Sequence, residues 1–354
     1  MLKHRLEDLL VGGLAEGLFT AGAVAAWTPF EEVGQILVGE TAATSKVPVD
    51  GDTLFDLASV SKTFVAAAIL TLVEEGKLSL DDTVFGRVPV GGGEGSSQIT
   101  LRHLLTHTSG LPSDSFAWKS ASLTPDEKLA AALSMPLQTQ PGAEFRYSCT
   151  NYIAAGLLAE TVTDQSLNRI VAERIFEPIG ARHLTFTPAS TARCVATEVQ
   201  DYLGRGLVCG EVHDELAWSL QRTTGNAGVF GTADDVLLFA RTILDEGIVG
   251  HREVLGPQAA RHLTKQIIEP GRGASFGHSL GLRVADAGFM GAVKGIGHTG
   301  FTGTMFVVDP VRRTAVVLLT NSVHPVRGVV DLGPFRCRVT ELVATATDAA
   351  ANLS

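Results

Sequence analysis

The sequence predicts an α/β fold of the α+β type: an antiparallel β-sheet flanked by helices, with a mostly α-helical region inserted between its two halves. Three observations predict it. Strand-like runs rich in branched apolar residues lie towards both ends of the 354-residue chain, at 23–38 and 279–319. Between about 100 and 225 the signals are those of helices, turns and loops. The helix read from about Ser59 to Glu75 is apolar on almost every side, which only enclosure between layers allows.

The first element is a helix at 2–19, with Leu6, Leu9, Leu10 and Leu14 on one side. Strands follow at 23–27 and 35–38, then the apolar helix, which Gly76 stops in the manner of a left-handed C-terminal residue. Residues 91–97, Gly-Gly-Gly-Glu-Gly-Ser-Ser, form a loop, and a further helical stretch begins near Thr100. Strands at 279–284, 303–308 and 314–319 and a helix at 335–350 complete the order, with no internal repeat. The expected division is a sheet domain made of 1–85 with 226–354, and an inserted helical domain at 86–225.

Composition narrows the function classes. Hydrophobic residues at 45% and charged residues at 19% are the balance of an ordinary globular protein. A net charge of −10 argues against nucleic acid or an anionic membrane as partner. No apolar run reaches the length of a membrane span, and Glu7 and Asp8 interrupt what a signal peptide would need as its apolar core. A cytoplasmic enzyme acting on a small molecule is the expectation. Cys149, Cys194, Cys209 and Cys337 show no C-x-x-C spacing and no disulfide framework.

Lys62 is the only charged residue between Asp56 and Glu74, and it completes the motif Ser59-Val-Ser-Lys62. Side chains three apart on a helix share a face, so Ser59 and Lys62 are neighbours while Ser61 points elsewhere. At the mouth of the helix the macrodipole favours an alkoxide on Ser59, and apolar surroundings disfavour an ammonium. The pKa of Lys62 is therefore expected to fall below its reference near ~10.4. A neutral lysine beside a hydroxyl can take its proton and activate it as a nucleophile. The plainer alternative has Ser59 capping the helix and Lys62 snorkelling to solvent.

Three other motifs fail on context. Gly277-His-Ser-Leu-Gly281 matches a nucleophile elbow, but a loop precedes it and a strand follows, so Ser279 is assigned to a strand or turn. Gly295-Ile-Gly-His-Thr-Gly300 runs into a strand and not the helix that a dinucleotide site requires. His103 and His107 have metal-ligand spacing, yet no glutamate lies between them and no third ligand is evident. They read as hydrogen-bonded histidines at a helix-to-loop junction marked by Gly110 and Pro112. Neither a metal nor a cofactor is implied.

Ser59-Val-Ser-Lys62, Tyr147-Ser-Cys149 and His298-Thr-Gly300 follow one another in the order S-x-x-K, Y-x-N, K/H-T-G. In this the chain resembles the class C β-lactamase and D-alanyl-D-alanine carboxypeptidase superfamily of serine hydrolases, especially its family VIII esterase-like members. Similar segments at 101–112, 145–152, 228–235 and 316–321 extend the resemblance over roughly residues 20–345. It implies a β-lactamase/transpeptidase-like fold, with Ser59 as the acylated nucleophile and Lys62 as the base that activates it. Tyr147 would relay protons, its phenolate form needing adjacent positive charge. Whether Lys62 or Tyr147 is the base stays open, since coupled groups titrate as a unit. His298, Thr299 and Gly300 would line the pocket as a strand, and the backbone N–H groups of Ser59 and Phe301 would form the oxyanion hole.

Two residues depart from the pattern. His298 replaces the commoner lysine with a group neutral for part of the physiological range, weakening any fixed attraction for a substrate carboxylate. Cys149 stands where the family has asparagine, and a thiol offers only a weak donor and a weak acceptor. Amide and β-lactam substrates would lose most by that exchange, because their polar groups would be buried unpaired. The expected substrates are small carboxylic esters. Amide hydrolysis (a D-amino-acid peptidase or a weak β-lactamase) and acyl transfer are the alternatives, and a non-catalytic ligand-binding homologue comes last. Cys149 reads as a small residue beside the site and not as a second nucleophile. The segment 210–217 also recurs in family members, which implies a place bordering the substrate pocket, with His213 and Asp214 read as a loop salt bridge.

Overall fold

Both ends of the chain build one antiparallel sheet in the computed structural model, which describes residues 1–42 and 44–353. Its strands are β1 (Ala21–Trp27), β2 (Glu32–Gly39), β3 (Gly277–His278), β4 (Arg283–Val284), β5 (Ile296–Thr299), β6 (Met305–Asp309) and β7 (Thr314–Thr320). Their spatial order is β2-β1-β7-β6-β5-β4-β3. The seam between the two ends is the β1–β7 pair, with Gly22 opposite Thr320 and Trp27 opposite Ala315. Both strands are apolar at successive positions because both faces of the sheet are covered. Ala23, Ala25, Val317 and Leu319 enter one core, while Val24, Ala26, Val316 and Leu318 enter the other. Each fully buried Val or Leu of this seam contributes about 1.5–3 kcal/mol.

The helices that support the site are α1 (Leu2–Ala15), α2 (Ser61–Glu74), α3 (Leu101–Leu105), α4 (Cys149–Thr163), α5 (Glu215–Ser219), α6 (Ala233–Leu244) and α7 (Gly333–Ala351). On one face of the sheet Leu2, Leu6 and Leu10 of α1 share a core with Phe335, Val339 and Val343 of α7. On the other face lies α2, whose residues from Ser61 to Leu72 are all buried. Its Phe64 ring stands 4.4 Å from Phe239 of α6 and 5.5 Å from Phe176. The apolar surface all round this helix is thus matched by neighbours on every side. Gly76, with φ of 71°, follows the last turn as expected. Among the described residues no helix is long and apolar enough to cross a membrane.

Two element readings need correction. The first helix stops at Ala15, because Gly17 takes φ of 72° and turns the chain back towards β1. The expected strand at 279–284 is a hairpin, with β3 and β4 joined through Ser279–Leu282. Gly281 has φ of 128° there, and the Leu282 N–H donates to Ser279 Oγ at 3.1 Å.

Candidate active site

The chain enters the site through residues Phe55–Asp56, which pair with Phe230–Gly231, and then tightens into a 3₁₀ turn at Ala58–Val60. Ser59 lies half-buried in this turn, and Val60, not Ser59, occupies the cap position of α2. Ala58 has φ of 47°, a left-handed conformation that costs a residue with a Cβ about 1–2 kcal/mol. Asp56 braces it. One carboxylate oxygen accepts the Ala58 N–H at 2.8 Å and the other accepts the His213 N–H at 2.7 Å.

Lys62 is fully buried, so the snorkelling alternative is excluded. Its Nζ donates to Ser59 Oγ at 3.0 Å and to the carbonyl oxygen of Asn226 at 2.8 Å, and lies 3.7 Å from Cys149 Sγ. The turn that carries Asn226 approaches so closely because residue 225 is glycine. A Cβ there would sit 2.0 Å from the Tyr152 carbonyl oxygen. Burial disfavours the ammonium. The negative charge that Cys149 and Tyr147 carry when ionised, together with a hydrogen bond with Tyr147, outweighs it and raises the Lys62 pKa. The expectation of a lowered pKa is therefore overturned: Lys62 rests as an ammonium, donating towards the serine.

Tyr147 packs between aromatic rings and cations. The His107 ring lies 4.4 Å from its ring, the Lys62 Nζ 5.1 Å and the Arg283 guanidinium 5.4 Å. His107, with φ of 55°, accepts the Ser148 N–H at 3.1 Å on Nδ1, which also lies 3.2 Å from Asn151 Nδ2. Burial, with the nearby His278 and Lys62 charges, holds its pKa well below the usual value, so the ring is neutral. The two histidines of the His103/His107 spacing part company. His103 turns to its own helix, where Nδ1 accepts the Thr100 N–H at 3.2 Å. Both are hydrogen-bonded histidines, as expected at this helix-to-loop junction, and of the two His107 packs on the site tyrosine.

Strand β5 brings in the third motif. His298 is buried, donates Nδ1–H to the Thr299 carbonyl at 2.8 Å, and is kept neutral by burial and by the Arg283 and Lys62 charges. It offers a substrate carboxylate no positive charge. Gly300 packs directly on the nucleophile turn, since a Cβ there would meet Thr304 Oγ1 at 2.0 Å and the Leu57 carbonyl oxygen at 2.5 Å. Thr302 Oγ1 reinforces the contact, donating to the Asp56 carbonyl at 2.7 Å. Among the described residues neither the Ser59 nor the Phe301 amide donates a hydrogen bond, so both are available to an oxyanion.

Cys149 opens α4, and burial pushes its pKa up to about 11. It is a thiol, which disfavours a second nucleophile. Asn226, absent from the sequence reading, supplies a side-chain amide beside that thiol as well as the carbonyl on Lys62. Ser279 is remote from this chemistry in role: it is buried and donates to the Leu263 carbonyl at 2.6 Å. His213 does not pair with Asp214. Its Nε2 lies 2.9 Å from Glu198, whereas Asp214 caps α5 by accepting the Ala217 N–H at 2.8 Å.

The arrangement has relatives. The Beta-lactamase family model matches residues 6–336. The chain is 30% identical over 321 residues, 81% of its own length and 73% of the relative, to the "Putative D-alanyl-D-alanine carboxypeptidase" of Escherichia coli O157:H7. Among solved structures it is similar to EstCE1, a hydrolase with promiscuous acyltransferase activity, with a TM-score of 0.78, 24% identity, and 97% and 98% of the two chains covered. It is also similar to the D-amino acid amidase from Ochrobactrum anthropi SV3, with a TM-score of 0.75, 23% identity and 99% of both chains covered. At these identities the two structures share the fold with this chain.

Proposed function

The chain belongs to the beta-lactamase family and is a serine hydrolase, and from that premise we propose that it cleaves small carboxylic esters through an acyl-enzyme on Ser59. The observation that carries the reading is the 3.0 Å contact of a wholly buried Lys62 with Ser59 Oγ. In the proposed cycle Oγ bonds to the ester carbonyl carbon and the charge passes to the carbonyl oxygen, held by the Ser59 and Phe301 N–H groups. Lys62, as an ammonium, cannot accept the serine proton without first giving one up. It donates to Ser59 Oγ and lies 5.1 Å from the centre of the Tyr147 ring, so the serine proton passes to this pair, the base being Lys62 once deprotonated or Tyr147. Collapse breaks the bond to the alkoxide, which takes that proton and leaves. Water repeats the sequence on the acyl-enzyme and releases the acid.

Esters are favoured over amides by the weak hydrogen bonding of Cys149 and by the neutrality of His298. Acyl transfer to an alcohol is the second reading, supported by the activity described for EstCE1. Four free cysteines fit a reducing compartment, and we place the protein in the cytoplasm. The test is a fluorophosphonate probe with peptide mapping. The adduct is expected on Ser59; an adduct on Ser279, or none at all, overturns the reading.

A further inference from the structure

Rings from separate loops meet beside the Ser59 turn. Phe116, Tyr202 and Phe301 are exposed at 64%, 54% and 58%, and they do not stand singly. Ring centroids lie 6.4 Å apart for Phe116–Trp118 and 6.3 Å apart for Trp118–Tyr202. The Arg327 guanidinium continues the row, 5.7 Å from the Tyr202 ring and 5.2 Å from that of Phe301. His213 closes it, stacked on Phe301 at 5.7 Å and 28°.

Each end of the row is fixed to the site. The loop before Phe116 accepts the Cys149 N–H on the Ser113 carbonyl at 3.2 Å. Phe301 follows Gly300, which packs on Leu57 and Ala58. The residue whose amide is offered to the oxyanion thus also carries a largely exposed ring of the row. Of the two cations on the row, Arg327 is neutralised by Glu198 and by Glu215 at 2.8 Å, and the Lys119 Nζ lies over the Phe116 and Trp118 rings at 4.6 and 5.2 Å. Asp114 adds a further carboxylate on the neighbouring loop, its pKa raised to about 6 by burial and by Asp214 and Glu215.

We infer that this ledge is a specificity subsite for a planar, uncharged aromatic ring in the acyl or alcohol part of the ester. Offset and edge-to-face contacts with Trp118, Tyr202 and Phe301 select such a ring over a puckered one of the same size. The inference rests on Ser59 being the nucleophile.

Two matched pairs test it. In the first, 3-phenylpropyl and 3-cyclohexylpropyl butanoate carry the ring on the alcohol. In the second, butyl 4-phenylbutanoate and butyl 4-cyclohexylbutanoate carry it on the acyl group. Leaving-group acidity is the same within each pair, and the cyclohexyl member is the more hydrophobic, so simple burial favours the wrong partner. The phenyl member of at least one pair is expected to show kcat/KM about 3- to 10-fold higher. That ratio should fall to about one in Trp118→Leu and in Tyr202→Leu. A ratio of one or less in the unmodified protein, or a ratio that neither variant lowers, removes the ledge and leaves Ser59 standing. No turnover of any of the four esters overturns the ledge and the esterase reading together.

Discussion

The Nζ of Lys62 donates to Ser59 Oγ while the Asn226 carbonyl oxygen holds it from another side at 2.8 Å. In the proposed cycle this contact orients the hydroxyl and gives its proton a path through Lys62 and Tyr147. Lys62→Met keeps the length and apolar stem of the side chain and removes that path. We expect kcat on p-nitrophenyl butyrate to drop at least about 10³-fold with KM within a few-fold, and Ser59→Ala to abolish turnover. Stopped-flow and steady-state rates check both; a Lys62→Met enzyme within tenfold of the parent would refute the relay.

Cys149 lies 3.7 Å from the same ammonium as a neutral thiol. Cys149→Asn supplies two amide donors and a strong acceptor at that place. The rate on nitrocefin relative to that on p-nitrophenyl butyrate should rise by about tenfold, the scale of one recovered hydrogen bond. An unchanged ratio would mean that the thiol does not set the preference.

Gly300 is where two separate parts of the chain touch. Gly300→Ala forces its Cβ into the Leu57 carbonyl oxygen and Thr304 Oγ1, both closer than 3.0 Å. The end of β5 must then retreat from the Ser59 turn and take the Phe301 amide with it. Loss of one oxyanion donor predicts about 10²- to 10³-fold lower kcat. Calorimetry should show a lower Tm as well, and a fully active variant would contradict this packing.

Glu198 is 3% exposed and hydrogen-bonds to His213 and Arg327. Burial alone would push its carboxyl up, but those bonds and the Arg327 charge hold it well below the usual carboxylate range. A depressed folded-state pKa means stability that is complete above the unfolded value near ~4.3 and is lost as pH falls below it. Glu198→Ala removes the carboxylate on His213 and one of the two on Arg327, Glu215 remaining, at a cost of about 1–3 kcal/mol near pH 7. Urea midpoints for parent and variant should converge as the pH drops below about 4. A gap that persists there would rule out the carboxylate as the source.

Legibility followed sequence distance. Ser59 and Lys62 were readable because i, i+3 spacing on a helix decides their contact locally, and the apolar surface of α2 announced its burial. The direction of the Lys62 shift was not legible because the groups whose ionised forms raise it, Cys149 and Tyr147, arrive from more than eighty residues away. Asn226, 164 residues from Lys62, makes its key contact through a backbone carbonyl, which leaves no mark on residue choice. His107 was noticed for its spacing and Arg283 not at all, since neither pattern says that both will flank Tyr147. The hairpin at 277–284 hid in an apolar run whose break is the positive φ of Gly281.

The β1–β7 seam has a consequence for biogenesis. While the chain is being made, β1 can hydrogen-bond only to β2, and its other edge stays bare until Thr320 has cleared the ribosome. Few pairings in a protein of this size close so wide a loop, and such pairings form slowly. A translation product that stops before residue 314 therefore keeps an apolar strand edge open to other chains, a hazard for aggregation. Nascent fragments should be clients of chaperones until the last strand arrives.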